Sequence, residues 1–239
     1  MGKILWKPSD ERVKNTNMSR FINFVNGKYG LTLSGYTPLY EWSVTEISDF
    51  WAAVWEFVDI KYSEPYQEVV IDLDKMPGAK WFVGARLNFA ENLLRYRDDQ
   101  TAIIFAGEGQ ESVRTTYREL YDKVSRVAKS LRALGIKPGD RVVGFMPNMT
   151  ETIIAMLAAT SLGATWSSCS PDFGIKGVMD RFGQIEPKVI FTADGYFYNG
   201  KTFDSLERIA NVVKQLPSLE KIVVVSYTQQ KPDISFLPN

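Results

Sequence analysis

The sequence predicts an α/β protein: a helix-rich N-terminal segment followed by part of a doubly wound, mainly parallel sheet. Three observations carry that expectation. From residue 101 onward, short apolar runs alternate with stretches of helical periodicity. Runs that begin near Arg141, Ala164, Lys188 and Lys221 are spaced about 23–33 residues apart, the size of βαβ units. These runs are short and largely non-alternating, as strands covered on both faces require.

Taken in order, residues 1 to about 40 carry few periodic signals beyond Phe21, Ile22, Phe24 and Val25. Ser43 and Glu46 have capping-box spacing, so a helix is expected to open at Ser43. Ile47, Phe50, Trp51, Val54, Trp55 and Val58 follow as one wide apolar stripe, with Glu46, Asp49, Glu56 and Asp59 largely off it. The stripe reads first as core; a ligand or partner platform around Trp51 and Trp55 is the other reading. Pro77-Gly78 marks a turn. Asn88 and Glu91 form a second capping box before a helix reaching Leu94. Residues 1–96 are therefore assigned to one segment and 97–239 to an α/β domain.

In the second part, residues 101–105 and 113–116 flank Gly107-Glu108-Gly109 and predict a hairpin. Thr116 and Glu119 cap a helix that carries Leu120, Val124, Val127, Leu131 and Leu134 on one face and stops at Gly135. A strand is expected over 142–146, and a helix capped by Asn148 and Glu151 runs to Leu162. A strand over 164–168 and a helix over 175–184 follow. Beyond them come a strand over 189–192, a helix bearing Leu206, Ile209, Ala210, Val213 and Leu216, and a strand over 222–225. The uncharged run 152–171 changes character at Gly163, so it reads as a buried helix and then a strand rather than a membrane span. In doubly wound sheets ligands sit beyond the strands' carboxyl ends. That points to Pro147-Asn148, residues 168–174 and residues 194–202.

Composition narrows the chemistry. The chain has 28 basic and 28 acidic side chains, no histidine and one cysteine. A neutral balance argues against nucleic-acid binding. Imidazole catalysis, Cys-His or Ser-His pairs and histidine metal sites are excluded. The single cysteine rules out an internal disulfide and fits a reducing, cytoplasmic setting. Residues 1–14 have no apolar core of signal-peptide length, and no membrane association is expected. No catalytic residue and no metal ligand is assigned.

Gly195-Tyr196-Phe197-Tyr198-Asn199-Gly200-Lys201-Thr202 matches the phosphate-loop pattern letter for letter, between a strand and a helix. Three bulky aromatics at its variable positions oppose an inward-turned amide cradle. Asp204 with Glu207 offers the following helix a better start than Lys201-Thr202. A nucleotide-binding loop, a plain turn at Asn199-Gly200, and a loop whose Lys201 meets a ligand's phosphate remain the three readings.

A set of strings occurs together in order. They are Lys80-Trp81-Phe82; Ala85-Arg86-Leu87-Asn88-Phe89-Ala90-Glu91-Asn92-Leu93-Leu94; Gly139-Asp140-Arg141-Val142; and Met146-Pro147-Asn148. After them come the block from Gly163 through Trp166-Ser167-Ser168-Cys169-Ser170-Pro171-Asp172-Phe173-Gly174, then Asp180-Arg181-Phe182 and Gln184-Ile185-Glu186-Pro187-Lys188. Together they resemble the acyl-adenylate-forming synthetase superfamily, and within it the acetoacetyl-CoA synthetase family, from about Trp6 to the end of the chain. The resemblance implies a ligase of lipid metabolism with acetoacetate, Mg-ATP and CoA as reactants, working through an acyl-adenylate. It also implies that the family's phosphate loop, nucleotide contacts, magnesium-binding glutamate and catalytic lysine lie beyond Asn239. The chain is then an N-terminal portion that does not turn over alone and binds at most CoA. In the family the CoA nucleotide crosses the loop aligned with Ser170, Pro171 and Asp172. Two arginines that meet its phosphates align with Tyr198 and Lys201, of which only Lys201 keeps a positive charge. Cys169 reads as a small buried hydrophobe, and Asp140 and Arg141 as a turn and a fold-holding charge. Oligomeric state is not encoded in any of these strings.

Overall fold

The computed structural model describes residues 5–238. The chain forms two compact units, Met1–Leu87 and Asn88–Asn239.

The first unit holds α1 (Asp10–Lys14), α2 (Asn17–Tyr29), α3 (Tyr36–Thr45), α4 (Ile47–Phe57), β1 (Glu68–Ile71) and β2 (Lys80–Val83). Thr16 caps α2 by accepting the Ser19 N–H, and Gly30 ends it with φ +65°. The expected helix start at Ser43 is wrong. Ser43 lies inside α3, where its hydroxyl donates to the Tyr40 carbonyl, and α4 begins at Ile47 without a side-chain cap. Capping spacing is a local signal, and here the helix already running absorbed it. The core gathers Phe21, Val25, Leu39, Trp42 and Ala53, with Phe50 and Phe57 packed against it. The aromatic stripe of α4 is thus only partly core. Trp55 rests against Tyr62, Tyr66 and Phe82, while Trp51 is 39% exposed and meets Trp81 edge-on. β1 and β2 pair antiparallel.

The second unit holds α5 (Phe89–Leu93), β3 (Thr101–Phe105), β4 (Val113–Thr116), α6 (Tyr117–Ala133), β5 (Arg141–Phe145), α7 (Thr150–Ser161) and β6 (Thr165–Cys169). It continues through α8 (Ile175–Phe182), β7 (Val189–Ala193), β8 (Gly195–Tyr198), β9 (Lys201–Asp204), α9 (Leu206–Val213) and β10 (Lys221–Val225). The main sheet has the order β10-β7-β5-β6, all parallel. Val142, Val189, Phe191 and Ala193 face a core built with α5, α6 and α7. Val143, Phe145 and Ile190 face the other way, toward α8 and α9. The alternation of pointing along β5 and β7 therefore fills two layers, which is why neither strand shows a polar alternation. The edge strands differ: β10 is half-buried throughout, and Thr165 and Ser168 of β6 are exposed, so only the inner pair is covered on both faces.

Local signals worked well in this unit. Thr116 and Glu119 form a reciprocal capping box on α6, and Gly135 follows with φ +80°. Asn88 accepts the Glu91 N–H, and its own amide donates 2.9 Å to the Thr160 carbonyl of α7. The proposed Asn148 cap fails: α7 is preceded by Met149 and has no side-chain cap. Leu134 is the C-cap and 38% exposed rather than core. Asp140 accepts the Lys137 N–H and pairs with Lys188, while Arg141 donates to the Ile185 and Glu186 carbonyls, so both hold the sheet entrance together. No helix among the described residues is long and apolar enough to cross a membrane; 152–171 is divided between α7 and β6.

Candidate functional site

The four main strands run parallel, so the loops after β5, β6 and β7 share one rim. The connections α7 and α8 lie on opposite faces, which opens that rim at β5 and its neighbours. Ser170, Pro171 and Asp172 form a tight turn after β6, closed by the Phe173 N–H on the Ser170 carbonyl at 3.2 Å. Ser170 and Asp172 are exposed and Pro171 is buried. Arg208, from the first turn of α9, donates to the carbonyls of Pro171 and Phe173 and so clamps this loop. The Arg181 guanidinium covers the Phe173 ring at 4.4 Å. A cleft of about 380 Å³ opens beside it, lined by Gly174, Ile175, Asp204, Glu207, Arg208 and Asn211.

Tyr198 and Lys201 sit elsewhere on the rim. The phosphate-loop match at 195–202 is an antiparallel hairpin, with Gly195 opposite Asp204 and Tyr198 opposite Lys201. Both glycines of the motif are explained by that hairpin. A Cβ on Gly195 would lie 2.4 Å from the Phe203 carbonyl oxygen, and Gly200 has φ +70° beside Asn199 at +51°. Left-handed residues in both central positions make the Asn-Gly turn typical of two-residue hairpins. The nucleotide-binding reading of this motif is therefore overturned: the backbone is extended where a cradle must curl, and α9 starts after Ser205. Asp204 does cap that helix, accepting the Leu206 and Glu207 N–H groups.

Lys201 and Tyr198 are both exposed, Tyr198 by 64%. Among the described residues, no hydrogen bond or ion pair joins either of them to Ser170, Pro171 or Asp172. The structure brings the two halves of the expected site to one rim without direct contact.

Three residues that sequence reasoning left unassigned matter here. Arg208 is one. Asp194, between β7 and β8, is fully buried and accepts from the backbone N–H groups of Tyr227, Thr228 and Gln229 and from the Thr228 hydroxyl, all at 2.7–2.9 Å. It pins the segment after β10 to the same rim. Glu108, in the β3–β4 turn, accepts the Asn199 N–H at 3.1 Å and the Gly200 N–H at 2.9 Å, and those two bonds hold its carboxyl below the usual carboxylate range. An acid directly after an apolar strand was a usable signal for Asp194. Nothing local couples Glu108 to a turn 91 residues away. Cys169 is buried, and burial pushes its thiol up, away from reactivity.

An open parallel sheet wound on both faces, with its candidate loops on the carboxyl rim, defines a doubly wound α/β domain. The family model for AMP-binding enzymes matches residues 89–237, and the chain belongs to that family. A second model, for the acetyl-coenzyme A synthetase N-terminus, matches residues 36–93. Acetoacetyl-CoA synthetase of Danio rerio is 48% identical over 244 residues, covering 100% of this chain and 36% of its own length. Acetoacetyl-coenzyme A synthetase of Rhizobium meliloti (strain 1021) is 48% identical, covering 92% of this chain and 34% of its own. The solved acetoacetyl-CoA synthetase from Streptomyces lividans superposes with a TM-score of 0.89 at 40% identity, covering 97% of this chain and 36% of that one. The chain thus spans about a third of the length of the curated relatives it matches.

Proposed function

We propose that these residues are the N-terminal portion of an AMP-forming acid–thiol ligase that makes acetoacetyl-CoA from acetoacetate, ATP and CoA. The observation that carries the reading is the similarity of the whole chain to acetoacetyl-CoA synthetases. In the reaction the acid's carboxylate attacks the α-phosphate of Mg-ATP, leaving an acyl-adenylate and pyrophosphate. The CoA thiolate then displaces AMP. Both steps depend on holding phosphates and aligning a nucleophile.

This portion's contribution is scaffold and CoA contact. Lys201 meets a CoA phosphate as a point charge, Tyr198 offers its ring or one hydrogen bond, and the Ser170-Pro171-Asp172 turn, held by Arg208, borders the nucleotide. Among the described residues no group of three or more acidic or thiol side chains gathers to hold a metal. A cytoplasmic enzyme of lipid metabolism fits the same reading, as does division of the chain at residue 96 into an N-terminal segment and the start of the adenylation domain.

The experiment is a calorimetric titration of the 239-residue chain with CoA and with Mg-ATP, repeated with Lys201→Ala. Weak CoA binding that falls several-fold in the variant, with no acetoacetate-dependent pyrophosphate exchange by the chain alone, is expected. Robust exchange, or CoA binding that ignores Lys201, refutes the assignment.

A further inference from the structure

Another cavity, of about 220 Å³, opens in the second unit between the β3–β4 hairpin, α6, the start of α7 and the segment after β10. It shares no lining residue with the Ser170 turn or with the hairpin that carries Tyr198 and Lys201. Phe105, Met149 and Tyr227 wall it, and two threonines line it as well. Thr115 is 1% exposed and Thr150 6%, yet neither hydroxyl has a hydrogen-bond partner among the described residues. The other threonines of α7 do find carbonyls: Thr152 donates to Pro147 at 2.7 Å and Thr160 to Met156 at 2.8 Å. A buried hydroxyl left unmatched on a cavity wall costs free energy unless something in the cavity meets it.

Charge points the same way. α7 has no side-chain cap, and the N–H groups of Thr150 and Glu151 at its start have no acceptor among the described residues. Lys123, from α6, brings an ammonium to the cavity, and Glu151, from α7, a carboxylate. The two form no ion pair with each other, and neither pairs with any other described residue. Burial first and the Glu151 charge next push the Tyr227 phenol up, so it keeps its proton and donates. The cavity therefore holds opposite charges apart, with unspent donors beside them. A lone anion meets the Glu151 carboxylate, and a lone cation meets Lys123 and the positive end of α7. A small molecule that bears both charges answers both.

We propose that this cavity binds a small zwitterion of amino-acid size. Its carboxylate lies against Lys123, the Thr115 and Thr150 hydroxyls and the free amides of α7, and its ammonium lies against Glu151. Phe105 and Met149 take the alkyl portion that joins the two charges or extends from them. Charge-assisted bonds at both ends give the selectivity, because each single-charge analogue gains one end and is repelled at the other. The inference stands on the lining of this cavity and holds whether or not the proposed ligase reaction is right.

The test uses the 239-residue chain, its amides followed by two-dimensional ¹H–¹⁵N NMR at constant ionic strength. Glycine, β-alanine, 4-aminobutyrate and L-leucine are titrated in turn, with acetate and methylammonium as single-charge controls. At least one zwitterion is expected to move the Thr150, Glu151 and Tyr227 amide signals saturably, and to bind at least about ten-fold more tightly than either control. Thr150→Val, which keeps the shape and removes the hydroxyl, should weaken that zwitterion about five-fold. Glu151→Gln should erase its advantage over acetate, and Lys123→Met its advantage over methylammonium. No saturable shift at those amides with any of the zwitterions, a control that binds as tightly in the native chain, or an advantage that survives both charge substitutions overturns the proposal. The native-chain titrations need no substitution, so the result does not hinge on a variant folding.

Discussion

Asp194 shows how much one side chain organises here. A buried carboxylate costs several kcal/mol to desolvate unless its lone pairs are filled, and four donors fill them. Those donors belong to a segment with no other regular structure, so the bonds decide where the chain goes after β10. Asp194→Asn keeps the shape but turns an NH₂ toward at least one backbone N–H, which can only donate. We expect it to lower the unfolding free energy by about 2–4 kcal/mol and to speed hydrogen exchange at Tyr227, Thr228 and Gln229 selectively. A loss below about 0.5 kcal/mol with unchanged exchange would mean that the acid is incidental. Glu108 makes the opposite case: the same chemical group, exposed and held by two amides, has little to lose on release.

At the scale of elements, the β8–β9 hairpin separates letters from physics. Its glycines match a phosphate-loop motif, yet each has a local steric reason. Gly195→Ala drives a methyl against the Phe203 carbonyl, and Gly200→Ala forces an L-residue to φ +70°. The first should cost about 1–3 kcal/mol and the second about 1–2 kcal/mol, both seen as lost Tyr196–Phe203 contacts in nuclear Overhauser spectra. If either variant folded with the native contacts and stability, the hairpin account of the motif would fail. The same contrast explains which elements were legible. Two-layer burial writes itself into β5 and β7, and α6 announces both ends through Thr116, Glu119 and Gly135. α2 was missed although Thr16 and Gly30 bracket it and Met18, Phe21, Ile22, Val25 and Tyr29 fall at helical spacing. α3 was missed and its last residues were given to α4, because Ser43 and Glu46 mimic a capping box across the single-residue joint at Glu46. The loops at Ser170 and Lys201 were located by the rule for strand ends; Arg208 and Glu108 were not, because their partners lie 37 and 91 residues away.

For the molecule as a whole, the absence of histidine governs how stability answers to pH. No side chain present has an ordinary pKa between about 5.5 and 8, and burial moves Cys169 further from that window. Folding free energy should therefore be flat there. On the acid side several carboxyls are held low in the folded state. Asp140 is held first by the Lys137 N–H and then by Lys188, Glu119 by the Thr116 N–H and hydroxyl, Glu108 by the Gly200 and Asn199 amides, and Asp233 by the Ser235 N–H and hydroxyl. A depressed folded pKa means that the unfolded chain binds protons first. Each group then adds stability above its unfolded pKa, near 4, and loses it as pH falls through the folded value. Urea midpoints measured from pH 8 to pH 3 should thus hold level to about pH 5 and then drop. Asp140→Asn should shallow the drop, because it removes one of the contributing groups while leaving the neutral plateau level. A slope between pH 6 and 8 would require a side chain whose pKa is shifted into that window, and an acid limb unchanged by Asp140→Asn would place the loss at other carboxyls.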